Sequence, residues 1–200
     1  MSKPFHPLTL AFDHGMSNAS IPTDPASMEY ISQLQSDIEK SFQAKDHDLK
    51  SESHAFARQC GAVTTEASHI GLNTIGMLTD RLSILVIKKY FSKDPSQHDA
   101  TVEQIHDIES AMMSACKGSS SAFNKITNLR ASNLPDNFTM AAMSLAATNL
   151  LLWLAQDVLY LRGADSLPND ELRAYITFFA EKNVLRNQLI SIVDRLYWEN

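Results

Sequence analysis

The stretch from Met140 to Leu161 limits what this chain can become more than any other. Nearly every position in it is apolar, no proline or glycine interrupts it, and the next glycine is Gly163. A helix that is apolar nearly all round must be covered on all sides. Asn149, Gln156 and Asp157 lie inside the stretch, and such groups are expensive in hydrocarbon. The segment therefore reads as the central helix of a soluble helical protein, opened at Pro135-Asp136 and ended by Gly163. No membrane insertion is expected.

The remaining segments supply helices to cover it. Asp24-Pro25 offers an N-cap followed by proline at the first helical position, and Met28, Ile31, Leu34, Ile38 and Phe42 follow at three- and four-residue steps. The polar run 45–53 reads as a turn. A long helical stretch from Glu52 to Phe91 carries Ile75, Leu78, Leu82 and Leu85 on one face. Gly71 and Gly76 suggest a break or a close helix contact there, and Asp94-Pro95 stops the stretch. Thr101 with Gln104 resembles a capping box, with Val102, Ile105, Ile108 and Met112 as the next stripe. Lys117-Gly118 reads as a helix end, and a short helix is expected over Phe123–Leu129. Asn169 caps a last helix striped by Leu172, Tyr175/Ile176, Phe179, Leu189, Ile192/Val193 and Leu196. No segment alternates with the two-residue period of a strand. The expected fold is all-α: a single-domain helical bundle of four to five long helices over residues 24–200. An irregular N-terminal arm, residues 1–23, holding Pro4, Pro7 and Pro22, precedes it.

Charge and cysteine content narrow the function classes. The 200 residues carry a formal net charge of −6 with no stripe of Lys and Arg, so no nucleic-acid partner is expected. Cys60 and Cys116 stand far apart in no CxxC spacing and read as two buried free thiols of a reducing compartment. The N-terminal residues hold no continuous apolar run, and the expected location is cytoplasmic. The terminal aromatics Tyr197 and Trp198 need a covering surface, from their own chain or a second subunit. A homo-oligomer, with a further protein partner, is expected.

Polar residues break the apolar pattern in register. Asn149, Trp153, Gln156 and Asp157 share one face of the central helix, and Asn183, Arg186, Asn187 and Asp194 share one face of the last. Asp80 and Lys88, with Arg81 adjacent, do the same in the Ile75–Phe91 segment. Groups so placed either pair off between helices, because buried charges must be paired, or line a pocket for a small polar ligand. Asp157 and Arg186 are expected to be buried on facing helices and linked, directly or through Asn149 or Asn187.

The same residues carry a resemblance. Gly76, Asp80, Arg81, Leu82, Ser83 and Ile84 form a first block. Asn149, Leu152, Trp153, Asp157 and Arg162 form a second, and Asn183, Arg186, Asn187, Ile190 and Asp194 a third. In this order they resemble an uncharacterised bacterial family of small helical proteins, a domain of unknown function often encoded near surface-polysaccharide and glycosyltransferase genes. Gln156 stands where that family usually has Glu. The resemblance implies a helical fold and a bacterial cytoplasm, adds Arg162 to the candidate polar face, and implies no reaction.

Chemistry that needs a local motif finds little support. Two Glu-x-x-His pairs, Glu66/His69 and Glu103/His106, have the spacing of carboxylate-bridged di-iron sites. The central helix, however, offers no Glu to complete one, so no metal and no cofactor is expected. Glu103, Asp107 and Glu109 read as a solvated face, and His14, His47, His54 and His98 as surface residues. There is no phosphate-cradling glycine loop and no nucleophile elbow. The leading expectation is a non-enzymatic helical accessory or interaction protein. The alternative is an enzyme or ligand-binding protein using the Asp/Arg/Asn face.

Overall fold

The structure, a computed structural model, describes residues 5–21, 27–61, 73–115 and 133–199. Every regular element among them is helical: α1 (Pro7–Asn18), α2 (Met28–Ser41), α3 (Leu49–Gln59), α4 (Ile75–Phe91), α5 (Pro95–Met113), α6 (Phe138–Arg162) and α7 (Asn169–Trp198). The all-α expectation therefore holds, with seven α-helices among the described residues instead of four or five.

The extra elements come from segments whose punctuation misled the sequence reading. In the expected irregular arm, Pro7 stands at the start of α1, where a missing N–H costs nothing. Leu8, Phe12 and Met16, spaced by one helical turn, are fully buried. The expected 52–91 helix is two elements, since α3 begins at Leu49, inside the presumed turn, and ends at Gln59. Gly61 then takes φ +72°, a left-handed value that glycine adopts without strain. Thr101 is no cap; it lies within α5 and donates to the Gln97 carbonyl at 2.7 Å. Asp94 caps that helix instead, accepting from Ser96 N–H at 2.9 Å. Asn169 is the first residue of α7, and Pro168 before it makes no side-chain cap. Asp24-Pro25, Lys117-Gly118, Phe123–Leu129, Cys116 and the Glu66/His69 pair lie outside the described residues. Cys60 is exposed, not buried.

The central position of α6 follows from its composition. Fifteen of its residues are buried, and it touches α1, α2, α3, α4 and α7. It is long and apolar enough to cross a membrane, and 78% of its most apolar window is buried inside the protein. Gly163, at φ +76°, turns the chain out of it. A single 3-10 turn, Ala164–Ser166, then delivers α7 antiparallel along its side. Arg162 and Glu171 meet at 3.3 Å across that connection. Helix α5 packs along α4, and α1 lies on α3 and α4. Tyr197, against Phe138 and His54, is covered by its own chain.

Candidate functional site

Helices α4, α6 and α7 meet along a polar seam. Thr74 caps α4 through Met77 N–H, and a second anchor reaches the same end from α7. There the buried Asp194 carboxylate accepts Gly76 N–H at 2.6 Å. A carboxylate at a helix N-terminus meets both an unpaired N–H and the positive end of the helix dipole. Gly76 makes the approach possible. A Cβ at that position would collide with the Ile190 carbonyl oxygen and stand 2.9 Å from the Asp194 carboxylate.

One turn further along α4, Asp80 is 4% exposed and receives a forked guanidinium from α7. Arg186 Nε donates to its Oδ1 at 2.8 Å and Nη2 to its Oδ2 at 2.6 Å. From α6, the buried Asn149 amide donates to Asp80 Oδ1 at 2.9 Å and to Ser83 Oγ at 2.7 Å. The Ser83 hydroxyl in turn donates to the Asp80 backbone carbonyl at 2.8 Å. The hydrogen bonds to Asp80 and the aspartate's charge hold the Arg186 guanidinium above its ordinary pKa, against the opposing effect of burial. Because Gly76 meets Asp194 and Asp80 meets Arg186, α4 and α7 run antiparallel. Two separate clasps fix their register.

The link expected between Asp157 and Arg186 is replaced by the Asp80–Arg186 pair. Asp157 lies eight residues beyond Asn149, about 12 Å further along α6 at 1.5 Å per residue, whereas Arg186 comes level with Asn149. Asp157 is half-buried, and desolvation pushes its carboxyl above the usual range, opposed by the nearby Trp153 indole. That indole N–H is buried without completing a hydrogen bond, and the ring stacks on Phe91 at 6.1 Å. Lys88 and Asn187 are also half-buried. Arg81, Gln156, Arg162 and Asn183 face solvent, and Asn183 bonds only within its helix among its described contacts, to the Phe179 carbonyl at 2.8 Å. Of the twelve candidates, then, four enter the two clasps: Asp80, Asn149, Arg186 and Asp194.

A second buried polar cluster escaped the sequence reading. Glu109, expected on a solvated face, is 3% exposed. Its Oε1 accepts the His6 backbone N–H at 2.8 Å and the Thr9 hydroxyl at 2.6 Å, and its Oε2 meets His106 Nδ1 at 2.9 Å. The signal was its position, four residues after Ile105 on the buried stripe of α5. His106 thus turns to Glu109, while Glu103 is exposed. His54, expected at the surface, is half-buried with an unpartnered Nε2.

These features define an all-α protein with a hydrogen-bonded polar seam between three helices. Compared with known protein families, with curated proteins and with solved structures, the chain matches none.

Proposed function

We propose that this chain is a helical-bundle protein that works by binding rather than by catalysis, and that it self-associates in the cytoplasm. The supporting observation is the saturation of Asp80. Its carboxylate takes three hydrogen bonds from two neighbouring helices, so this polar constellation is occupied with holding helices together. The three sequence blocks that resemble the uncharacterised bacterial family supply both clasps, including Gly76, Ser83 and Ile190. On this reading they are a signature of how the helices pack, and they carry no reaction. Binding then falls to the surface. Tyr160 and Leu161 in the last turn of α6 and Ile176 about two turns into α7 are exposed at 80%, 69% and 62%, the large apolar side chains that self-association would cover.

Sedimentation equilibrium at micromolar concentration tests the self-association. The expected result is a mass above that of the 22.3 kDa chain, shifted toward the monomer by the double substitution Tyr160→Ser, Ile176→Ser. A wild-type protein that remains a single 22.3 kDa species would overturn it.

A second reading, a small polar ligand held beyond the Asp80 clasp, is favoured by one observation: the unpartnered Trp153 indole N–H lies near the half-buried, partly desolvated Asp157. On that reading Asp157→Asn leaves the melting temperature within about 2 °C yet abolishes a ligand-induced rise seen with the wild type in a screen of small polar metabolites. An equal rise in both proteins, or none in either, counts against it.

A further inference from the structure

The buried cluster at the start of α1 uses its histidine in one protonation state only. His6 is the N-cap of that helix, and its Nδ1 accepts the Leu8 N–H at 3.2 Å. A neutral imidazole can accept there; a protonated one carries a proton on both nitrogens and cannot. Protonation also places a positive charge at the positive end of the helix dipole. His6 is 2% exposed and its ring packs edge-on against Phe56 of α3 at 5.2 Å, so little water reaches the charge. Burial accordingly lowers its pKa from 6.5 to about 4.

The surroundings decide what gives way. From α5, Glu109 holds the His6 backbone and Thr9, and His106 stacks on Phe5 at 4.7 Å. From α4, Lys89 pairs with Asp13 at 2.9 Å and stands 5.7 Å from the Phe5 ring centre. His106 Nδ1 faces the Glu109 carboxylate, whereas His6 Nδ1 faces a backbone N–H, so the cap imidazole is the member whose protonation works against docking. Neither clasp of the α4–α6–α7 seam includes a residue of α1.

We propose that α1 is an acid-released strap: neutral His6 caps the helix and helps hold it down, and protonation of that ring lets residues 5–18 lift away while α4, α6 and α7 stay packed. The sign follows from linkage. Docked α1 binds fewer protons than released α1 between the ordinary histidine pKa and its lowered value of about 4. Docking is therefore at full strength above about pH 6.5, weakens as pH falls through that window, and reaches its floor near pH 4.

Amide hydrogen exchange followed by mass spectrometry, corrected for intrinsic rates, reads this directly. Protection of residues 5–18 is expected to fall on the order of 100-fold between pH 7 and pH 4.5, while α6 keeps its protection. His6→Asn supplies a cap oxygen that does not titrate and is expected to flatten the profile. Loss of α1 and α6 protection together, an unchanged α1 profile in the wild type, or the same pH dependence in His6→Asn would each overturn the proposal. If the variant is already undocked at pH 7, the NMR titration of the wild-type His6 ring decides. One shared midpoint for ring protonation and α1 release supports the strap, and separate midpoints refute it.

Discussion

Gly76→Ala is expected to cost about 3 kcal/mol or more of folding stability, the upper end of what overpacking a core exacts. The added methyl meets the backbone carbonyl of Ile190 and the carboxylate of Asp194; the first is backbone, and the second is held against α4 by the Gly76 N–H. Backbone on α7 cannot rotate aside; α4 and α7 must separate. Separation lengthens the bond from Gly76 N–H to Asp194, leaving a buried carboxylate short of a donor. At an ordinary solvent-facing helix position the same change would stabilise by up to about 1 kcal/mol, because alanine is the better helix former. The two explanations thus differ in sign, and urea unfolding monitored by circular dichroism separates them. A neutral or stabilised Gly76→Ala would mean that α4 and α7 do not approach as closely as described.

Breaking the central clasp is expected to have an effect of similar size. Arg186→Ala takes both guanidinium donors from Asp80, which is 4% exposed with Arg186 in place, and leaves Asn149 as its described side-chain donor; about 3–5 kcal/mol is the usual cost of breaking a buried pair by removing one partner. Asp80→Ala removes the acceptor of three hydrogen bonds, yet Arg186, its side chain 29% exposed, can recover some water. Its cost is expected below that of Arg186→Ala, at about 2–3 kcal/mol. The double variant is expected to cost clearly less than the sum, since both substitutions remove the same interaction. Additive, small losses in a thermal or urea series would show the pair to be solvated and energetically idle.

Both experiments rest on residues that the sequence exposed for a physical reason. Asp80, Asn149, Arg186 and Asp194 stood out because each interrupts an apolar helix face, where an unpaired polar group is too costly to persist. That argument finds the members of a network but not its pairings. Matching them requires the axial level at which two helices cross, and for this reason Asp157 was assigned the partner that belongs to Asp80. Helix α1 was missed because three prolines outweighed a clear one-turn spacing of Leu8, Phe12 and Met16. Glu109 was missed because nearby Glu103 and Asp107 suggested a charged outer face, although its own position continues the stripe from Ile105. The central helix was the easiest element to read, since no amphipathic alternative competes with a segment apolar on every side.

That helix also sets an order of events before the native state exists. Helix α6 precedes α7 in the chain, so a ribosome delivers the most apolar segment before the partner that covers its flank. Another 36 residues must follow Arg162 before Trp198 emerges, about 2–7 s of translation at ordinary rates. During that interval the nascent chain displays a stretch that meets the length and apolarity of a membrane span, shielded at most by helices α1–α5. The arrival of α7, with Arg186 and Asp194 closing their clasps, covers that flank.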